Sequence, residues 1–349
     1  MSQILKANQR QERIAILHPV QFSYSLKYED GQPTKMILCD EKECIVNCLN
    51  CANPKCMKFS PSDIQCLSFR EMSHEIKNTV CPVDAISVGK RSASINNSKC
   101  IGCGLCVRRC PVGAIHISNG KAVLNSGNSF PIFTVELDAT PQNQKKQIDF
   151  LKNMIPINDS GCMQKENDII MENVYRNLRR LTQEQQNILI RNTLINLGCQ
   201  AALSRQGVVY SRMDGFYENN GQMGVLEIET GSDMLAVSRA ILDDIAVVNS
   251  RYGITPQSNH PLAVVLSLPN KRTDYWQVVK DIRAVTNLKI ATLTFGAMLL
   301  FLWNAIDVSG FDQFYIDVDK SSIRKAVETE LNRNICISDG LLGILENSK

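Results

Sequence analysis

The chain has 349 residues, 44% of them hydrophobic and 21% charged, with a formal net charge of +3. That composition excludes global disorder, and a charge so nearly balanced excludes a chain-wide basic field for nucleic acid, leaving only local patches to bind it. The first twenty residues, MSQILKANQRQERIAILHPV, are broken by charges and amides and hold no apolar signal core, so the expected location is the cytoplasm.

Eleven of the fourteen cysteines lie between Cys39 and Cys110, and only Cys162, Cys199 and Cys336 follow. A disulfide scaffold belongs to small secreted chains, so this crowding implies a metal module joined to a different domain. In chain order, the stretch CIVNCLNCANPKC ends at Cys56, and twenty-four residues then separate Cys56 from Cys81. Beyond them Cys100, Cys103, Cys106 and Cys110-Pro111 form the run CxxCxxCxxxCP. Three thiolates two residues apart wrap one face of an iron–sulfur cubane, and the fourth is carried onward to a second cluster. Pro111 fixes the backbone after the last thiol, and Gly102 and Gly104 let the loop approach the cluster closely. Zinc sites rarely show so tight a run.

CPVDAISVGK from Cys81 echoes CPVGAIHISNGK from Cys110, and the module resembles the pseudo-twofold dicluster ferredoxins. That resemblance implies an α+β ferredoxin-like domain over residues 1–140 with two 4Fe–4S clusters. Cys81 joins Cys100, Cys103 and Cys106 on one cluster, and Cys110 serves the other. CxxCxxPxC is similar to stretches in the iron–sulfur domains of some flavin- and pyridine-linked dehydrogenases, which assigns Cys48, Cys51 and Cys56 to that other cluster. Cys44 competes for the role, and Cys39, Cys44 and Cys66 otherwise read as small buried hydrophobes.

After an irregular connection rich in Gly, Asn, Ser and Pro, a helix is expected over about 166–181, with Ile170, Val174, Leu178 and Leu181 on one side. Arg176, Arg179 and Arg180 close it as a solvated turn. Thr182 to Gln185, TQEQ, has capping-box form and opens a second helix that runs toward Gly207. VVYSRMDGFY, the Asn219-Asn220-Gly221 turn and MGVLEIE read as a β-hairpin, with no unmistakable strand before it unless CQAALSRQ supplies one. Ser232 and Asp233 are expected to cap a long helix bearing Met234, Val237, Ile241, Ile245 and Val248 on one face. PLAVVLSLP and LKIATLTF are continuous apolar strands separated by a helix, which implies an α/β domain over 141–349 with a covered sheet. The apolar run from Ile290 to Ile306 reads as a buried strand entering a buried helix, because it is shorter than the roughly 18 residues a membrane span requires.

Asp214 ends one strand of this hairpin, and Glu227 and Glu229 point from one face of the other. Three carboxylates where two strands meet make a hard-cation site. Over residues 183–295 the order of elements and these acids resemble the PD-(D/E)XK nucleases, implying a restriction-endonuclease-like domain with a mixed central sheet. The resemblance gives Asp214 and Glu227 to Mg²⁺ or Mn²⁺, lets Glu184 add a carboxylate, and puts Glu229 where the usual lysine stands, as in some restriction endonucleases. It implies a metal-dependent nuclease acting on DNA, in restriction or anti-phage defence, with other subunits or as a homo-oligomer and without a membrane. No P-loop is present and no GxGxxG opens a helix after a strand. The rival reading is a dicluster electron-transfer subunit whose C-terminal domain docks a partner; a third is a nuclease-like fold that only binds one.

Overall fold

The computed structural model describes residues 28–29, 32–33, 37–39, 55–64, 72–88, 93–110, 115–118, 120–124, 132–134, 164–205, 207, 212–231, 234–270, 273–315, 321–332 and 334–344. The chain groups into two compact units, one drawn from 1–58 and 79–156, the other from 59–78 and 157–349. The boundary expected near residue 140 lies outside the described residues. A single cut along the chain does not anticipate that the stretch between Cys56 and Cys81, which carries the short helix α1 (Pro61–Ile64), groups with the later residues.

The first unit is built from short antiparallel pairs. β1 (Tyr28–Glu29) pairs with β2 (Gln32–Pro33), and β3 (Ile37–Cys39) waits for a partner far along the chain. β4 (Ile86–Val88) and β5 (Ala93–Ile95) form a hairpin, helix α2 spans Leu105–Arg109, and β6 (Ile115–Ser118) and β7 (Lys121–Leu124) form a second hairpin. β8 (Ile132–Thr134) then closes on β3. The sequence echo therefore becomes a structural one: each CPVxAI segment runs into an antiparallel hairpin. Ile86, Ile95, Ile115 and Ile117 pack from those hairpins onto a core that includes Cys56, Cys100, Cys106 and Cys110.

In the second unit α3 (Gln164–Leu178) is followed by α4 (Gln183–Asn196). Arg176, Arg179 and Arg180 are all exposed, as a solvated turn requires. At the start of α4 the Gln185 amide donates to Thr182 Oγ1 at 3.3 Å and the Thr182 amide donates to Gln185 Oε1 at 3.1 Å, so the capping box closes in both directions. The second helix does not reach Gly207: it ends at Asn196, Gly198 at φ 94° turns the chain, and CQAALSRQ supplies a strand, β9 (Gln200–Leu203). β10 (Gly215–Asn219) and β11 (Gln222–Glu229) form the hairpin, and Asn220 and Gly221 have φ of 50 and 82°, the signs a two-residue type I′ turn needs. The described strand begins at Gly215, so Asp214 stands just before β10 instead of ending a strand, while 208–211 lie outside the described residues.

Helix α5 (Met234–Tyr252) links β11 to β12 (Leu262–Val265), and α6 (Asp274–Thr286) links β12 to β13 (Ala291–Thr294). The expected caps Ser232 and Asp233 lie outside the described residues. The sheet order is β13-β12-β11-β10-β9: β9, β10 and β11 run antiparallel, whereas β11, β12 and β13 are parallel because a helix carries each crossover. β12 and β13 are buried throughout, as a strand covered on both faces must be. β13 runs directly into the fully buried α7 (Phe295–Trp303), and α8 (Ser321–Leu331) follows. No described helix is long and apolar enough to cross a membrane.

Candidate functional site

The thiols of Cys81, Cys100, Cys103 and Cys106 line one apolar space with Val83, Ala85, Ile86, Ile95, Ile101, Leu105 and Ala122. The local chain explains why. Gly102, at φ +76°, lets the loop turn so tightly that a Cβ there would overlap the Gly120 carbonyl oxygen at the turn of the β6–β7 hairpin. Gly104, at φ +87°, then turns the chain into α2, which brings Cys106 inward. The Ala85 amide donates to Cys81 Sγ and the Ala122 amide to Cys100 Sγ, each at 3.3 Å, while Lys121 Nζ holds the Cys100 carbonyl. Amide donors on sulfur favour the thiolate that binds iron.

Burial pushes the Cys103 thiol up, and the neighbouring Cys81 adds to the shift. Burial does the same to Cys106, reinforced by Cys103, Cys100, Cys81 and Cys56, and Cys81 is raised by burial despite the amides of Ala85 and Val83. Without metal these thiols therefore hold their protons, and a bound cation is what displaces them. The residues fit a cubane, which takes one iron per thiolate, so that the four ligands stand around a cluster and not around one ion. Cys56 and Cys110 are buried in the same core, whereas Cys48, Cys51, Cys44 and Cys66 lie outside the described residues.

The carboxylates assemble differently from the expectation. Asp214 is held by the Ile228 amide on Oδ2 at 2.9 Å and by Asn187 Nδ2 on Oδ1 at 3.5 Å. Beside it stands Glu227, and the third member is Asp244 of α5, 1% exposed, in place of Glu229. Glu229 accepts from the Gly231 amide and is half-buried; Glu184 is turned to Lys77 at 3.9 Å with 55% of its side chain exposed. Strand period puts Glu227 and Glu229 on one face, and both are half-buried, but only the helix laid over β11 decides that it is Glu227 that meets Asp244. Sequence reasoning missed Asp244, although it sits inside the stripe of Val237, Ile241, Ile245 and Val248, where an acid is out of place.

Among the described residues, no group of three or more His, Cys, Asp or Glu is placed to hold a metal ion. For the acids, Asp244 stands beside Glu227 where Glu229 was expected, and Glu229 turns to the Gly231 amide. Burial, then the Asp214 and Asp244 charges, push Glu227 up to about 9. Burial is also the main cause that lifts Asp244, to about 7, and Asp214 is raised by burial as well. The trio is therefore a proton-holding cluster that titrates as a unit.

The consequence for stability has a definite sign. A carboxyl that binds its proton more tightly folded than unfolded stabilises fully below its ordinary pKa of about 4 and loses that contribution as pH rises through the folded value. For the coupled Glu227–Asp244 pair, raised together by burial and by each other's charge, that loss extends well above the ordinary carboxylate range. Glu227→Gln, which removes the proton uptake that folding requires at this residue, is expected to raise the melting temperature at pH 8 and to leave it nearly unchanged at pH 5. Scanning calorimetry at the two pH values checks this; a lower melting temperature at pH 8 contradicts it.

Residues 93–116 match the 4Fe-4S binding domain family. The chain is 44% identical over 43 residues to an uncharacterized ferredoxin of Methanocaldococcus jannaschii, covering 12% of this chain and 28% of that protein. It is 50% identical over 44 residues to hydrogenase-4 component A of Escherichia coli, covering 13% of this chain and 22% of that protein. A third relative, the Escherichia coli protein YsaA, is named for electron transport and is 27% identical over 25% of this chain and 69% of its own length. The chain thus spans under a third of the first two relatives. No solved structure matches it. The matched stretch holds Cys100, Cys103, Cys106 and Cys110, the run in which thiols meet in the structure, and residues 93–116 are accordingly a 4Fe–4S ferredoxin-type domain.

Proposed function

We propose that the chain is an iron–sulfur electron carrier whose second unit docks an oxidoreductase partner. The observation that carries this reading is the apolar ring of Cys81, Cys100, Cys103 and Cys106 at the 4Fe–4S match. The relatives support it, being named a ferredoxin, a hydrogenase component and an electron-transport protein. One cluster sits on those four thiols and the other on Cys48, Cys51, Cys56 and Cys110. A bound cluster supplies one-electron chemistry; the chain's part is to bury it among apolar side chains, aim amides at its sulfurs and exclude water.

A second reading keeps Asp214, Glu227 and Glu229 in a metal-dependent nuclease acting on DNA. What supports it is the order helix, three antiparallel strands, helix and parallel strand around Asp214 and Glu227, with these half-buried acids where strands meet. The acids as arranged hold protons, which Mg²⁺ or Mn²⁺ would have to displace.

One experiment separates the two. Anaerobically purified protein, reduced with dithionite and mixed with oxidised cytochrome c, is expected to return its electrons to the cytochrome and regain its visible absorbance. The same preparation is expected to leave single- and double-stranded DNA intact with Mg²⁺ or Mn²⁺. Cleavage that Asp214→Ala abolishes at unchanged iron content overturns the carrier reading in favour of the nuclease.

A further inference from the structure

The chain leaves the first unit after Cys56 and returns to it just before Cys81, and the foot of this excursion is a two-stranded neck. The Val80 amide donates to the Met57 carbonyl at 3.0 Å, Lys58 and Thr79 form an antiparallel bridge, and the Phe59 amide donates to the Asn78 carbonyl at 2.8 Å. Cys56 and Cys81, the last and first residues outside this ladder, are both assigned above as cluster ligands.

Beyond the neck, the arm at 72–78 adds itself to the free side of β9. The Glu75 amide donates to the Leu203 carbonyl at 2.8 Å, the Arg205 amide donates to the Ser73 carbonyl at 3.3 Å, and His74 and Ser204 form an antiparallel bridge. β9 is the outermost strand of the five, so this arm covers the Leu203 end of a sheet edge, where backbone groups would otherwise be unpaired. Met72 is buried beneath it, and Glu75 supplies the charge that offsets the burial of Arg191 in α4. One residue further, the Ser204 amide donates to the Asp214 carbonyl at 2.9 Å, so the covered edge continues into the segment that carries Asp214.

We propose that this arm is a strap through which cluster loading controls the β9 edge and the Ser204–Asp214 joint of the second unit. Ligated Cys56 and Cys81 pin both ends of the neck, and a loop whose ends are fixed loses less entropy on docking than one whose ends wander. When iron is lost the ends are released, the arm leaves β9, and the edge opens. The inference rests on the assignment of Cys56 and Cys81 as ligands.

Hydrogen exchange on the full chain tests it, with iron content measured in parallel. In loaded protein the amides of Glu75 and Arg205 are expected to be protected, and anaerobic chelation of iron is expected to speed their exchange about tenfold or more while β12 amides stay protected. Cys103→Ala, which touches neither neck nor arm, is expected to release them as well. Coupling is reciprocal, so Glu75→Pro, which removes one arm hydrogen bond, is expected to quicken iron extraction by a chelator. If Glu75→Pro fails to fold, the comparison of loaded and iron-depleted wild type still decides. Equal protection with and without iron overturns the strap while leaving the clusters in place; a wild-type chain that binds no iron overturns the ligand assignment instead.

Discussion

Cys103→Ala is expected to lower the iron content of anaerobically purified protein from about eight to about four per chain, the loss of one cubane. The first unit is expected to lose much of its stability with it. Cys103 is 8% exposed in an apolar wall, and its neighbours Cys100 and Cys106 are equally buried. The core they share includes Cys56 and Cys110, with Ala85, Val107, Ile115 and Ala122 among the residues that fill it. So small a core gains little from hydrophobic burial, and metal binding supplies folding free energy that side-chain packing does not. Iron and acid-labile sulfide assays beside a thermal melt read both effects. Cys199→Ala is the control: that thiol is buried in the second unit against Asn219, and iron content is expected to stay at the wild-type value. Stoichiometric zinc in a colourless protein contradicts the assignment.

Gly224→Ala is expected to destabilise the second unit by about 3 kcal/mol, the upper end of what overpacking costs. Gly224 lies in β11 opposite Tyr217 of β10. A Cβ there would overlap the His260 carbonyl oxygen and stand 2.7 Å from the Tyr217 ring. Neither neighbour can yield. The Tyr217 hydroxyl donates to that same carbonyl at 2.7 Å, and its ring is packed edge-on against Phe311. The His260 amide in turn donates to the Met223 carbonyl. Denaturant unfolding followed by circular dichroism gives the loss directly, and a midpoint within error of wild type contradicts the close approach. Gly221→Ala, in the open turn where nothing lies within 4 Å, separates the strain of a positive φ from the overlap.

Much of this architecture was legible because its causes are local. A cubane draws its ligands from a loop a few residues long, so the spacing of Cys100, Cys103 and Cys106 announces the cluster before any fold is known. The Thr182 capping box and the Asn220-Gly221 turn are likewise decided within four residues, and the apolar runs of β12 and β13 betray strands covered on both faces. The sequence therefore determined the iron–sulfur chemistry, the element order and the internal echo of the first unit.

Only the tertiary structure decided what meets across long separations. His74 pairs with Ser204, and that pairing leaves no periodic trace in either segment, so the twenty-four residues between Cys56 and Cys81 gave no sign that their arm edges a sheet. The acids show the same limit. Alternation along β11 places Glu227 and Glu229 on one face, yet the helix that crosses that face selects Glu227, brings Asp244 against it and leaves Glu229 to a loop amide. Periodicity says which side of an element is apolar; what lies on that side is set by the packing of another element, and it is the packing that brings the buried Asp244 against the half-buried Glu227 and Asp214.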